Sequence, residues 1–150
     1  MTRVIALDPG RSKCGLLLAD TSTNTVLQGM VIQSSQVLDQ LRAWIEDDQE
    51  ETAQIAELVI GDGTSSTIWQ QQLPASLKLR VVDETGTTLR ARERYWQLWP
   101  SRGWKRLLPL GLRIPSGDLD AIAALVILED YLDRLLQWPG PDPLKNGLSR

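Results

Sequence analysis

Residues 3–20 read RVIALDPGRSKCGLLLAD, and this stretch decides the fold that the rest of the chain must fit. The apolar run at 3–8 predicts a buried strand, the Pro-Gly pair after it predicts a turn, and residues 15–19 predict the partner strand. The next run, TVLQGMVIQ at 25–33, is rich in β-forming residues and predicts a third strand. Because the links between these strands are short, we expect an antiparallel meander.

Helix and strand patterns alternate through the remainder of the chain. The elements predicted there are, in order, a helix from Ser34 or Ser35 to about Asp48, strand 56–60, helix 64–73, strand 77–82, helix 88–98 and helix 118–136. This order predicts an α/β fold with a five-stranded mixed sheet, antiparallel on one side and parallel on the other, flanked by helices. We assign residues 1–138 to this domain and residues 139–150 to a C-terminal tail rich in Pro and Gly.

The composition excludes several kinds of chemistry. The chain has 150 residues, which suits one domain, and it contains no histidine and a single cysteine, Cys14. A Ser-His-Asp triad, a histidine-ligated zinc site and an internal disulfide are therefore excluded. The longest apolar run, at 121–128, is too short to cross a bilayer, and the first residues lack a signal-peptide pattern. We expect a cytoplasmic protein without a membrane partner, whose chemistry uses carboxylates, hydroxyls, lysine, arginine or a bound ion.

The charge of the chain is unevenly distributed. Residues 86–117 hold seven basic residues and one acid, a local net charge of +6 in a chain whose total is −3. Arg90 and Arg94 lie four residues apart and share a helix face. The aromatic and basic residues that interleave after them are Trp96, Trp99, Arg102, Trp104, Lys105 and Arg106. This composition favours a groove that neutralises phosphates and stacks bases; the alternative is a solvated basic face with tryptophans packed in the core.

Acidic residues stand at the ends of several predicted elements. They are Asp8 after strand 1, Asp62 after strand 4, Asp83 and Glu84 after strand 5, and Asp118 and Asp120 at the start of the last helix. Taken singly, each is an ordinary turn or helix-capping residue. If strands 1, 4 and 5 are adjacent and parallel, however, their carboxyl ends share the edge where open α/β sheets carry their sites.

A carboxylate cluster at that edge would need a cation. Two carboxylates about 5 Å apart repel by roughly 3 kcal/mol at an effective dielectric constant of about 20. Mg²⁺ and Mn²⁺ prefer oxygen ligands and need neither His nor Cys. One or two such ions suit displacement at phosphorus. In the ion-free protein, we expect at least one of these acids to have a raised pKa.

Three motifs, in the same order along the chain, resemble those of the YqgF/RuvX family. The first is the hairpin ALDPGRSKCGLLLAD at 6–20, with an Asp-x-Gly, a Lys and a further Gly. The second is VDETGTTLRAR at 82–92, similar to an Asp-Glu-Arg and Ser/Thr-Thr that precede a helix with Ala and Arg. The third is DAIAALVILEDYL at 120–132, a helix opened by an Asp. The resemblance extends over about residues 3–136.

The members of that family are RNase H-like nucleases connected with pre-16S rRNA processing or with Holliday junction resolution. The resemblance implies an RNase H-like fold and a nuclease that depends on one or two Mg²⁺ or Mn²⁺ ions. The metal-holding and catalytic acids that it implies are Asp8, Glu84 (or Asp83) and Asp120, with Asp118 as an extra ligand. It implies nucleic acid as the partner, an rRNA precursor first and branched DNA second. The residues that we assign to nucleic-acid binding are Lys13, Arg90, Arg94, Arg102, Lys105 and Arg106.

Departures from the family pattern keep other functions open. Thr85 stands where the family has an Arg after Asp-Glu, Gly61-Asp62-Gly63 replaces Gly-Leu-Pro, and residues 95–117 match nothing in the pattern. A non-catalytic nucleic-acid-binding adaptor on the same fold is therefore one alternative. An actin- or sugar-kinase-like phosphotransferase is another, since those enzymes also use an Asp-x-Gly hairpin. They need two lobes, however, and this chain has the length of one.

Overall fold

The structure, a computed structural model, describes residues 2–47, 54–63, 66–73, 77–100, 103–109, 115 and 118–144, without the side chains of residues 54, 56, 66 and 105. The strands are β1 (Thr2–Asp8), β2 (Lys13–Asp20), β3 (Thr25–Gln33), β4 (Gln54–Gly61) and β5 (Lys78–Val82). The helices are α1 (Val37–Asp47), α2 (Ser66–Gln72), α3 (Thr87–Leu98) and α4 (Asp120–Leu132), and short 3₁₀ helices lie at Ser34–Gln36 and Gly103–Leu107. The predicted order of strands and helices is confirmed.

The five strands form one sheet in the order β3-β2-β1-β4-β5. β2 runs antiparallel to both of its neighbours, whereas β1, β4 and β5 are parallel. A meander on one side and parallel crossovers on the other are the arrangement of the RNase H-like fold. The predicted fold class is therefore confirmed.

Both faces of the sheet are covered, which explains why residues 4–7 of its central strand are all apolar. On β1, Val4 and Ala6 pack toward α4, while Ile5 and Leu7 pack toward α1 and α2. Successive side chains of a strand point to opposite faces, so a strand buried on both sides has no polar alternation. α3 packs on the outer side of α4, through a cluster around Tyr95.

The last helix is shorter than predicted. It spans Asp120–Leu132, whereas the apolar pattern predicted residues 118–136. Asp133 ends it by adopting a left-handed conformation, with a φ of 53°, and its N–H bonds back to the carbonyl oxygen of Asp130. Beyond this turn the chain re-enters the core at Leu136, which explains why the hydrophobic pattern continued past the helix end.

The first part of the tail contacts the domain. Tyr95 donates a hydrogen bond of 2.6 Å to the buried carboxylate of Asp142, and Leu144 packs against the α3–α4 cluster. The boundary after residue 138 stays a prediction. Asp48, Arg102, Arg113 and residues 145–150 lie outside the described residues. Within the described ranges, no helix combines the length and the apolar character needed to span a bilayer.

Candidate active site

The carboxyl ends of β1, β4 and β5 meet at one edge of the sheet. β1 ends at Asp8, its parallel neighbour β4 ends at Gly61, and β5 ends at Val82, two residues before Glu84. Because the three strands are parallel, the residues that follow them reach the same edge.

Gly15 allows the first turn of α4 to reach this edge. In the β1–β2 hairpin, Gly15 pairs with Asp8. A β-carbon at Gly15 would overlap the backbone carbonyl oxygen of Asp120, so the start of α4 lies directly on β2. A glycine in a strand often marks such a close approach of another backbone. The missing side chain thus brings Asp120, at the start of α4, beside Asp8, at the end of β1.

Asp8 is the centre of a group of three carboxyl side chains. It is hydrogen-bonded to Glu84 on one side and to Asp120 on the other. Burial, reinforced by the negative charges of Asp120 and Glu84, raises the pKa of Asp8 from 3.8 to about 8. A hydrogen bond between two carboxyl groups needs a proton, and the raised pKa keeps one proton on Asp8 at neutral pH, which Asp8 donates to Glu84 or to Asp120 but not to both at once.

The two neighbours of Asp8 also have raised pKa values. Burial and then the adjacent Asp118 raise the pKa of Asp120 to about 6. Burial, with the charges of Asp62 and Asp83 acting in the same direction, raises the pKa of Glu84. These acids do have raised pKa values, as expected, and the like-charged neighbours add to a shift whose largest cause is burial. Excess negative charge at one place is the condition that a divalent cation relieves.

Glu84, and not Asp83, faces Asp8. The Asp83 carboxylate is exposed and accepts two hydrogen bonds from Thr85, from its N–H at 2.9 Å and its hydroxyl at 2.6 Å. These bonds hold the pKa of Asp83 below its usual value. The structure thereby separates two neighbouring acids that the sequence left as alternatives.

Asp118 lies at the rim of the group and is engaged by two neighbours. Its carboxylate accepts the backbone N–H of Asp120 at 3.2 Å, in the turn just before α4. The Lys13 ammonium, from the hairpin turn, lies 3.6 Å from the other carboxylate oxygen. Lys13 therefore lies beside the cluster of acids, as predicted. In the structure, its ammonium pairs with the carboxylate of Asp118.

The carboxyl oxygens of Asp8, Glu84 and Asp120 are donors that fit Mg²⁺ or Mn²⁺. In the structure, however, these carboxyl side chains are paired with one another. Within the part of the chain that the structure describes, no three acidic, histidine or cysteine side chains stand where they could hold one ion. Asp8 instead shares hydrogen bonds with Glu84 and with Asp120. Loss of the proton from Asp8 would leave three adjacent carboxylates, which are the oxygen ligands these ions prefer.

A cavity of about 170 Å³ adjoins the three carboxyl groups. Its remaining walls come from the first turns of α3 and α4, namely Thr87, Thr88, Ala91, Leu119 and Ala123. The cavity has polar groups on one side and room for several water molecules, so it could also admit a phosphate group.

Two of the arginines predicted to bind nucleic acid are instead engaged with α4. Arg94 is 12% exposed and forms a two-pronged ion pair with Glu129, at 2.8 and 3.1 Å, and it also donates to the carbonyl oxygen of Leu136. Arg90 pairs with Asp130 at 2.6 Å near the surface. The two arginines do share a helix face, as predicted, but that face meets α4. The prediction that Arg94 contacts a phosphate is therefore corrected, because its guanidinium is used inside the protein.

The tryptophans divide between packing and exposure. Trp99 packs between Tyr95 and Trp138, with ring centres 5.5 and 5.4 Å away, and Trp96 packs on Tyr95. Trp104 is 68% exposed in the 3₁₀ helix Gly103–Leu107. In that helix Arg106 is also exposed, the side chain of Lys105 lies outside the described residues, and so does all of Arg102. Among the described residues, Trp104 and Arg106 thus place an exposed aromatic and an exposed basic side chain in one short segment.

Two further residues shape the site without having been singled out for it. Thr87 is buried at the start of α3, and its hydroxyl and N–H both donate to the backbone carbonyl oxygen of Glu84. Asp62, grouped above with the acids of this edge, accepts the N–H of Glu84 at 3.1 Å. The glycine on each side of Asp62 is the signal in the sequence that something packs closely against this turn.

Comparisons with known proteins address the fold. No protein-family model matches the chain, and a search of curated proteins finds no match. Among solved structures, T. thermophilus RuvC in complex with Holliday junction substrate is 11% identical, with a TM-score of 0.48 over 89% of this chain and 96% of that one.

Two other solved structures are similar over a smaller part of their length. The ethanolamine utilization protein EutJ from Carboxydothermus hydrogenoformans is 15% identical, with a TM-score of 0.41 over 59% of this chain and 39% of that one. A ROK family glucokinase from Streptomyces griseus, in complex with glucose and AMPPNP, is 14% identical, with a TM-score of 0.35 over 61% and 36%. At such identities, similarity carries no statement about activity.

Proposed function

We propose that this chain is a nuclease that hydrolyses phosphodiester bonds in structured nucleic acid with the help of a divalent metal ion. The observation that carries the proposal is the convergence of Asp8, Glu84 and Asp120. Each comes from a different element, and together their three carboxyl side chains form a crowded cluster, protonated at Asp8, next to a cavity. A fold has no structural need for such crowding, because buried like charges destabilise it.

The roles of the residues follow from their placement. Asp8, Glu84 and Asp120 would hold one or two Mg²⁺ or Mn²⁺ ions after Asp8 gives up its proton. When bound, such ions lower the pKa of a water molecule and neutralise the leaving oxygen. The cavity beside the acids would receive the phosphate, with the Thr88 side chain at its wall. Thr87 fixes the backbone of Glu84, so the carboxylate keeps its place while the substrate enters.

The proposed substrate is RNA, an rRNA precursor in first place and a branched DNA in second. The sequence resemblance supports this order. The exposed Trp104, close in sequence to Arg106, supports contact with unpaired bases and phosphates. The resulting division of labour assigns ion binding to the sheet edge and strand binding to the segment after α3.

The phosphotransferase alternative, which the Asp-x-Gly hairpin keeps open, gains no support from the turn Gly61-Asp62-Gly63, which could otherwise have served as a second phosphate loop. In the structure, the space over both glycines is taken by the carboxylate of Glu84, so a phosphate there would meet a negative group at once.

The decisive experiment is a cleavage assay with labelled rRNA precursor ends and a labelled four-way DNA junction, each with EDTA, Mg²⁺ or Mn²⁺. We expect metal-dependent cleavage by the natural chain and no cleavage by Asp8→Asn. Asp83→Asn is the control and should cleave normally, because it removes an exposed charge outside the cluster of Asp8, Glu84 and Asp120. Tight binding without cleavage of either substrate would support the adaptor instead. Equal activity of Asp8→Asn and the natural chain would refute the proposal.

A further inference from the structure

The carboxylate of Glu84 rests on the turn formed by Gly61, Asp62 and Gly63. A β-carbon on Gly63 would overlap Glu84 Oε1, and one on Gly61 would overlap Glu84 Oε2. The backbone N–H of Gly63 also donates a hydrogen bond to this carboxylate. Both carboxylate oxygens thus occupy space that only two glycines in this turn leave open.

Asp62 ties the backbone of Glu84 to the same turn. Its Oδ1 accepts the Glu84 N–H at 3.1 Å, and its own N–H donates to the carbonyl oxygen of Val82 at 2.9 Å. The end of β4 and the residues after β5 are therefore joined by one bond in each direction. Asp62 is exposed, so its carboxylate contributes to this joint through geometry and hardly through burial.

We propose that Gly61, Asp62 and Gly63 form a seat that fixes the side chain of Glu84 as a metal ligand, and that Asp62 is a positioning residue. The inference rests on the proposed function for the identity of the bound ion, a hard divalent cation. The geometry of the seat does not depend on that function. A flexible glutamate loses side-chain entropy when it binds an ion, and a seat that already restricts it removes part of that cost.

Asp62 offers a test that separates position from charge. Asp62→Asn keeps an oxygen at the acceptor position and loses the charge, whereas Asp62→Ala loses both. Asp83→Ala is the matched control, because it removes a neighbouring exposed charge that receives no hydrogen bond from Glu84. If Asp62 acts only through its charge, all three variants will behave alike.

Gly63→Ala tests the seat itself. The three atoms nearest to the added methyl group all belong to the Glu84 carboxylate, at the far end of a flexible side chain, and Gly63 does not have a positive φ, so the fold should tolerate the change. Gly140→Ala is the matched control, because its β-carbon would meet Trp138 at an ordinary 3.5 Å. Thermal unfolding confirms that each variant is folded.

Two measurements give the result. In the ion-free protein, NMR couplings should show one Glu84 side-chain rotamer in the natural chain, in Asp62→Asn and in the controls Asp83→Ala and Gly140→Ala. In Asp62→Ala the couplings should show an average over several rotamers. In Gly63→Ala they should show a single rotamer that differs from the natural one. Calorimetric titration with Mn²⁺ should show a loss of affinity of about 10–100-fold in Asp62→Ala and Gly63→Ala, with Asp62→Asn close to Asp83→Ala. Cleavage should then fall through kcat, with KM for the nucleic acid unchanged.

The NMR measurement decides the seat independently of activity. If Glu84 keeps one rotamer in Asp62→Ala and in Gly63→Ala, or if Asp62→Ala and Asp62→Asn give the same rotamer distribution, the seat is refuted. If the rotamers change as expected while the natural chain cleaves no substrate, the seat stands and the proposed nuclease function fails.

Discussion

At the scale of single residues, Asp8 is the acid whose negative charge the candidate site disfavours most. Its pKa is raised to about 8 by burial and by two acidic neighbours, which means that folding gives up free energy to keep this group in place. Strongly perturbed acids cluster where chemistry is done.

Asp8→Asn should stabilise the ion-free protein while it removes activity. The amide keeps the shape and a hydrogen-bonding capacity but has no charge to lose. At pH 8.5 in EDTA, we expect the free energy of unfolding to rise by at least about 1 kcal/mol, since one pKa unit corresponds to about 1.4 kcal/mol. Urea unfolding measures this quantity. An unchanged or lower stability would show that Asp8 is not under repulsion in the folded state.

At this scale, the sequence identified the acids but could not choose between neighbours. Asp83 and Glu84 are adjacent and chemically alike, and only the hydrogen bonds from Thr85 to Asp83 show which one turns away. Likewise, the role of Gly15 depends on a backbone contact with Asp120, which is distant in sequence. Local patterns carry no information about such contacts.

At the scale of elements, α3 is fastened to α4 by two ion pairs of very different character. In the Arg94–Glu129 pair, Arg94 donates two hydrogen bonds to the buried carboxylate and a third to the carbonyl oxygen of Leu136, whereas the Arg90–Asp130 pair is exposed on both sides. The same helix face thus provides a strong structural contact and a weak one. The helical spacing predicted the shared face, but it could not predict which element that face would meet.

Arg94→Ala should destabilise the protein far more than Arg90→Ala. Loss of Arg94 leaves the Glu129 carboxylate buried without its cation, which typically costs about 3–5 kcal/mol. Loss of Arg90 breaks a solvent-exposed pair worth about 0–1 kcal/mol. Urea unfolding of both variants measures the difference. Similar values for the two would contradict the structural role assigned to Arg94.

The segment after α3 should determine how binding depends on salt. Changing Arg102, Lys105 and Arg106 together to Ala should weaken nucleic-acid binding and flatten the slope of log affinity against log salt by about 0.7–0.9 for each lost phosphate contact. The control changes three basic residues of other elements, Arg42, Lys78 and Arg134. Equal slopes for the two triple variants would mean that this segment is a solvated face and not a binding surface.

The ends of the elements were harder to predict than their order. α4 is shorter than the predicted 118–136 because the chain turns at Asp118 before its start and Asp133 adopts a left-handed conformation at its end. Both effects depend on backbone conformation, which hydrophobic periodicity does not report. The central stretches of β1, β2 and β4 were predicted because burial on both sheet faces makes them continuously apolar.

At the scale of the whole molecule, the clustered acids Asp8 and Asp120 make the protein less stable as the pH rises. Asp8 and Asp120 have folded-state pKa values above their unfolded values, so the folded state binds protons more tightly. Their contribution to stability is therefore full below about pH 4 and is lost as the pH rises to about 8. Asp20 and Asp83, whose pKa values are lowered, act in the opposite direction but only at more acidic pH.

In EDTA, the thermal midpoint should fall between pH 5 and pH 8 and then level off. The chain has no histidine, so no imidazole titration overlaps this range. Mn²⁺ at pH 8 should restore the midpoint, and Asp8→Asn should show a flatter profile than the natural chain. Circular dichroism melts with and without Mn²⁺ measure all three effects. A midpoint that rises from pH 5 to pH 8 in EDTA would contradict the assigned pKa shifts.

The contact between Gly15 and Asp120 also has a consequence for how the protein is made. Asp8 belongs to the first strand and Asp120 to the last helix, so the three acids come together only when α4 has been synthesised and lies on the sheet. Chains emerge from the ribosome N-terminus first, at about 5–20 residues per second. A nascent chain therefore holds Asp8 and Glu84 without their third partner. The proposed nuclease would stay inactive beside the RNA of its own ribosome until α4 is complete and folded.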